Sequence, residues 1–290
     1  MRMTAVTPTS PATSKYLGVI LRVGVFALIA ILGYFFFPNI MAFFGVPQLI
    51  LAALGTFAAA AVANAIALRI YERGQLADIG LNWSGASRRN LVLGFAGGFG
   101  AAVVVLVGPI LTRAADLAPI PDQKLQWPSV LFVSFVLLFG AVGEEMLFRG
   151  YAFQVLVHAI GPFATILPMG VVFGLAHSLN QNFTGLALLN TVLWGIVLGY
   201  AFLRSGDLWL PIGLHFGWNW TLPLFGANLS GFTMDVTGYA LQWKIGPLWS
   251  GGAYGPEGGL LTSAIIVALL FFLHRAPIQH QDAFLLREAA

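Results

Sequence analysis

The sequence predicts an all-α polytopic membrane helix bundle with about eight transmembrane helices, and three observations predict it. Of 290 residues, 58% are hydrophobic and only 9% charged, where soluble domains average about 25% charged. The apolar residues fall in blocks close to the roughly 20 residues that a bilayer-crossing helix needs, and the mean hydropathy is +0.85. The Lys and Arg residues gather in alternate connections between those blocks, as the positive-inside rule expects.

Taken in order, the expected spans are 17–37, 48–68, 91–112, 128–148, 163–179, 183–203, 208–225 and 259–274. The first is too long for the apolar region of a signal peptide, and no small-residue cleavage site follows LGYFFFPNIM, so it is expected to be retained. Asn64 in the second and Asn190 in the sixth read as hydrogen-bonding ties between helices. The fifth and eighth spans are short. A polar N-terminal tail (1–16) and a C-terminal tail (276–290) flank a single transmembrane domain at 17–275, whose core is about 128–225. The longest connection, 226–257, is rich in Gly and Trp and has no assigned role.

With the N-terminus inside, cytoplasmic segments hold Arg2, Lys15, Arg69, Arg73, Arg88, Arg89, Arg149, Arg204, Arg275 and Arg287. Outer segments hold Arg113, Lys124 and Lys244, while Arg22 lies within the first span. This bias predicts a multi-pass protein of the cell membrane with both termini cytoplasmic. The net charge of +3 is accounted for by orientation, and no nucleic-acid partner is expected. The partner expected from these features is the lipid bilayer. With no cysteine in the chain, disulfides, thiolate metal sites and cysteine nucleophiles are excluded.

The fourth span ends in AVGEEMLFRGY, two glutamates and an arginine where charge costs roughly 2.5–3.5 kcal/mol per residue at a helix centre. Adjacent helical residues point about 100° apart. Glu145 and Arg149 stand at i,i+4 with the acid first, the favourable order for a pair. Glu144 is left on another face, poorly solvated, where a general base can work. His177 in VVFGLAHSLN has Phe173 one turn earlier to hold its ring. His215 and Asn219 in LPIGLHFGWNW share one helix face, a pair of donors suited to an oxyanion. Helix-to-helix ties are the plainer account of such residues. A turn at Gly161-Pro162 would bring Glu144 and His177 to similar depth, with SLNQN lining a cavity in the cytoplasmic half.

Competing intramembrane chemistries lack their motifs: HExxH and GxSxG are both absent. Water activated by Glu144 is the remaining nucleophile. A glutamate with histidines also suits zinc, which favours three protein ligands and an open position.

EEMLFR, FGLAH and HFGWN match, in order, the EExxxR, FxxxH and HxxxN motifs of the CPBP family of intramembrane glutamic endopeptidases, which the chain resembles over about 140–220. That family contains the type II CAAX prenyl proteases and relatives associated with bacteriocin self-immunity. The resemblance implies that Glu144 activates water, His177 assists, and His215 with Asn219 forms the oxyanion hole. It implies support from Glu145 and Arg149, and it implies no metal or other cofactor, leaving zinc a minority alternative. The expected function is hydrolysis of a peptide bond in a membrane-associated protein or peptide. The alternatives are a non-catalytic membrane binding or immunity protein that keeps the site as a peptide-docking pocket, and a small transporter. Against the transporter, the halves show no inverted repeat.

Overall fold

The computed structural model describes residues 11–286, so the expectations placed on Arg2 and Arg287 lie outside the described residues. It is helical throughout its membrane portion: α1 (Pro11–Phe43), α2 (Gln48–Ala67), α3 (Gly85–Leu111), α4 (Trp127–Arg149), α5 (Tyr151–Ile160), α6 (Pro162–Ala176), α7 (Gly185–Ser205) and α8 (Trp209–Leu224). A short α9 (Pro247–Ser250) precedes α10 (Leu260–Arg275). Among the described residues, five segments are long and apolar enough to cross a membrane: Tyr16–Phe43, Gln48–Glu72, Gly85–Leu111, Trp127–Ile160 and Gly185–Ser205. The other three expected spans are the shorter helices α6, α8 and α10. At 16 residues, α8 is about 24 Å long at 1.5 Å per residue, short of the roughly 30 Å hydrocarbon layer. The protein is an all-α polytopic membrane bundle.

Two strands interrupt the helical pattern. β1 (Ala115–Pro119) pairs antiparallel with β2 (Tyr239–Trp243), in the register Ala115↔Trp243 to Pro119↔Tyr239. This ladder ties the α3–α4 connection to the long 226–257 segment at one end of the bundle. At the other end the tail after α10 is tied in by Asp207, whose carboxylate accepts from Asn90 Nδ2 at 2.8 Å, from the Leu210 amide at 3.1 Å and from the Gln281 side chain.

A break at Gly150 separates α4 from α5 (ψ −139°). Asn64 of α2 bridges that break. Its Nδ2 donates to the Met146 carbonyl at 2.9 Å, and its Oδ1 accepts from the Tyr151 amide at 2.8 Å. These are backbone groups that the broken helix leaves without partners, and in a bilayer they need internal ones.

The helix that carries the HxxxN motif is set by its contact with α3. Gly94 and Gly98 of α3 face Gly213 and Gly217 of α8, and the backbones touch. A Cβ on Gly98 would lie 2.0 Å from Leu214 O, and one on Gly213 would lie 2.3 Å from Leu91 O. Small residues four apart permit this approach between membrane helices. His215, two residues on from Gly213, is rotated about 200° away and so points into the bundle. Gly98→Ala should therefore lower the thermal midpoint by several degrees, an overpacking cost of about 1–3 kcal/mol. Gly100→Ala, whose Cβ would meet nothing within 4 Å, should leave the midpoint unchanged. Thermal unfolding of the two variants in detergent checks this, and equal midpoints would contradict the contact.

Candidate active site

Four elements converge on one cavity: α4 with Glu144, the end of α6 with His177, α8 with His215 and Asn219, and α7 with Trp194. Its volume is about 660 Å³. From Glu144 it extends toward the end of the bundle that carries the α1–α2 turn, where Leu229, Ser230 and Glu257 of the long connection wall it. Exposed apolar side chains of α1 (Ile31, Tyr34, Phe35) and of the α6 end (Leu175, Leu179) form a rim on the flank. The cytoplasmic-half cavity expected from spacing is thus a cavity running the other way, away from the α7–α8 turn. Ser178, Leu179 and Asn180 of the SLNQN run do line it.

The base of the site is a buried charge cluster. Glu145 is fully buried and Arg149 is 2% exposed. Arg149 Nη1 donates to Glu145 Oε1 at 3.2 Å, and Nη2 donates to the Gly195 carbonyl of α7 at 2.8 Å. The guanidinium also lies over the Phe173 ring at 4.8 Å, a favourable cation–π arrangement. The same Glu145 oxygen contacts His215 Nδ1 at 2.8 Å. An ionised carboxylate only accepts, so His215 carries a hydrogen on Nδ1 and turns Nε2 into the cavity.

His177 caps the end of α6 and is oriented in the same way. Its Nδ1 lies 2.8 Å from the Phe173 carbonyl, which can only accept, so Nδ1 donates and Nε2 is free. Phe173 packs on the imidazole at 4.7 Å between centroids, on Phe148 at 5.0 Å and on His215 at 6.2 Å. One buried ring therefore holds both histidines and the arginine in place.

Glu144 Oε2 stands 3.7 Å from His177 Nε2 and 3.8 Å from His215 Nε2, and it is buried without a hydrogen-bond partner. Both separations exceed a direct hydrogen bond and suit an oxygen atom placed between. Asn219 lies one turn beyond His215 and lines the same cavity, half-buried. The structure thus brings Glu144, His177 and His215 to one point, with Asn219 on the adjoining wall.

Other residues of this cavity lie outside the motif positions. Glu257 is 8% exposed. It accepts from the Ser230 amide at 2.6 Å, the Ser230 hydroxyl at 2.7 Å and Trp218 Nε1 at 3.2 Å. Trp218 packs against Trp194 with the rings tilted by 55° and centroids 5.0 Å apart. Asn190 fastens this corner by donating to the Glu257 and Gly259 carbonyls. The partners of Glu257 lie 27 and 39 residues away, so no local spacing signals them.

Residues 126–221 match the family described as Rce1-like, type II CAAX prenyl endopeptidase. The matched stretch, which runs from just before α4 into α8, is similar to that family and contains the three motifs. The chain is also similar to an uncharacterized 24.3 kDa protein of Escherichia coli, 32% identical over 146 residues. That alignment covers 49% of this chain and 62% of the relative. The chain therefore spans just under two thirds of the relative's length.

Arg149→Leu leaves Glu145 buried with its charge and only His215 for company. Breaking a buried pair by removing one partner costs about 3–5 kcal/mol, so the variant should melt several degrees lower. Thermal unfolding of the purified variant measures this. An unchanged midpoint would mean that the pair contributes nothing to folding.

Proposed function

We propose that this protein is an intramembrane endopeptidase in which Glu144 activates a water molecule. The observation that carries the reading is the unpartnered Glu144 Oε2 set between two free imidazole Nε2 atoms, each fixed from behind through Nδ1. The family match is to peptidases and supports the same chemistry.

The protonation states follow from counting donors. If both imidazoles are neutral, Glu144 and the two Nε2 atoms present three acceptors to the cavity and no donor. An oxyanion needs donors, so His215 acts as the imidazolium, with Nδ1–H on Glu145 and Nε2–H toward the oxyanion. Within the cluster around Glu145, Glu144 and Glu145 against Arg149 leave one negative charge, which one imidazolium balances; Glu257 stands outside this count, held by donors from Ser230 and Trp218. His177 stays neutral and accepts from the water. Glu144 takes a proton from the water as its oxygen attacks the scissile carbonyl carbon. The negative oxygen forms against His215 Nε2–H and the Asn219 amide. The C–N bond then breaks, Glu144 delivers its proton to the departing nitrogen, and the products are a carboxylic acid and an amine. No metal ion takes part.

The uneven distribution of Lys and Arg supports an orientation with the α7–α8 turn in the cytoplasm. The cavity then opens to the flank and toward the outer side, so the substrate is a membrane-associated protein or peptide entering between α1 and α6.

Glu144→Gln keeps size and folding but removes the base. Cleavage of a membrane-tethered peptide library, with chelator present, should fall by about 10²–10⁴-fold, the usual worth of a positioned base. The melting temperature should stay within a degree or two. Undiminished cleavage by the variant, or loss of wild-type cleavage on adding chelator, would sink this mechanism.

A further inference from the structure

The start of α3, at the end of the bundle that holds the α7–α8 turn, carries charge that neither the fold nor the hydrolytic step uses. Arg88 and Arg89 are exposed there, and among the described residues neither guanidinium has a hydrogen-bonding or ion-pairing partner. Other arginines are committed: Arg22 pairs with Glu72 at 3.0 Å, Arg149 pairs with Glu145, and Arg204 donates to the Leu273 and His274 carbonyls at the end of α10. Arg88 and Arg89 line one open cleft together with Val92, Leu93 and Gln279, and no acidic residue is among those lining it.

The wall facing α3 is firmly built. Asn90, fully buried, holds Gln279 through both ends of its amide: Nδ2 donates to the Gln279 carbonyl at 2.8 Å, and Oδ1 accepts from the Gln279 N–H at 3.0 Å. Gln281 fastens the next stretch, accepting from the Ser84 hydroxyl at 3.1 Å and donating to Ser87 Oγ at 3.2 Å. Asp207, the carboxylate of this network, is 2% exposed and accepts from Asn90, Gln281 and the Leu210 amide, so it does not serve the arginines.

Beyond the cleft the surface of α3 is apolar. Val92, Ala96 and Phe99 follow Arg88 at helical spacing on one face, and all three are exposed. They belong to a segment long and apolar enough to cross a membrane, so this face meets acyl chains. Before Arg88, Trp83 packs edge-on against Trp209 at 4.9 Å, and tryptophans favour the membrane–water boundary. The two guanidiniums therefore stand at headgroup level. Their forked donors suit a phosphate group, and a soluble phosphate would leave the apolar face beside them unused. We propose that the cleft binds one anionic phospholipid, whose phosphate meets Arg88 and Arg89 beside Gln279 and whose acyl chain lies along Val92, Ala96 and Phe99. Once occupied, the cleft joins α3 to the tail after α10 through the lipid. The proposal is independent of the peptidase reading.

The test is lipid binding by the full chain, purified free of lipid in a neutral detergent and titrated with dioleoyl phosphatidylglycerol. Native mass spectrometry counts the bound lipids. One phosphatidylglycerol should bind at least about tenfold more tightly than dioleoyl phosphatidylcholine. Arg88→Gln combined with Arg89→Gln should weaken that binding by about 25-fold, about fivefold for each arginine. The melting temperature of this variant in lipid-free detergent should not change, because neither side chain bonds within the protein. Arg69→Gln combined with Arg73→Gln removes the same charge from exposed arginines that do not line the cleft, and it should leave the binding in place. Dibutyryl phosphatidylglycerol, with the same headgroup on short chains, should bind more weakly, and inorganic phosphate should not displace the dioleoyl lipid. Equal loss in the two double variants would show diffuse attraction to charge and would overturn the site. Equal affinity for phosphatidylcholine, or full affinity without Arg88 and Arg89, would overturn it too. Displacement by inorganic phosphate, or equal affinity for the short-chain lipid, would reject a lipid as the occupant in favour of a soluble anion.

Discussion

A single buried oxygen, Glu145 Oε1, joins the charge cluster to the site proposed for the chemistry. It meets Arg149 at 3.2 Å and His215 at 2.8 Å, and all three residues are buried. Isolated there, the carboxylate would be untenable, and so would the guanidinium. Together they neutralise one another, and the arginine's second nitrogen reaches the backbone of α7. The histidine that completes the set has its inner nitrogen committed and its outer one aimed at Glu144. Stability and the proposed chemistry thus share an atom, and the two are not separable by mutating Glu145 alone.

The scaffold serves that arrangement in layers. Close glycine contacts bring α8 against α3 and rotate His215 inward. Asn64 splices the α4–α5 break directly beyond Arg149, so the helix can end its first part there without stranded backbone groups. Phe173 packs both imidazoles and the guanidinium at once. From the other end of the bundle, Glu257 draws the long connection down onto Trp218, a residue lying between His215 and Asn219 in the chain. The cavity wall and the helix bearing His215 and Asn219 are therefore coupled through one carboxylate.

Local spacing made some of this readable from sequence, and its limits follow from the same physics. The i,i+4 interval predicts the Glu145–Arg149 pair, and the apolar blocks predict the helices. The one-turn interval from Phe173 to His177 predicts ring packing, which occurs alongside a bond from the imidazole to the Phe173 carbonyl. By contrast, the contact of Glu145 with His215 spans 70 residues and depends on how α4 and α8 cross. The β1–β2 ladder joins segments more than a hundred residues apart through backbone groups alone, which leave little mark on side-chain pattern. Depth counted along single helices does not give the direction in which the cavity runs. The long connection that walls it folds back on the bundle through tertiary contacts.

The central claim is that water, not an enzyme carboxylate, attacks the peptide bond. A single turnover in ¹⁸O-labelled water tests it most directly, with mass spectrometry of the new carboxyl terminus and of the enzyme peptide containing Glu144. The account predicts one labelled oxygen in the product and none in Glu144. Label in the Glu144 carboxylate, with an unlabelled first-turnover product, would show that Glu144 had attacked the carbonyl itself and would contradict the account.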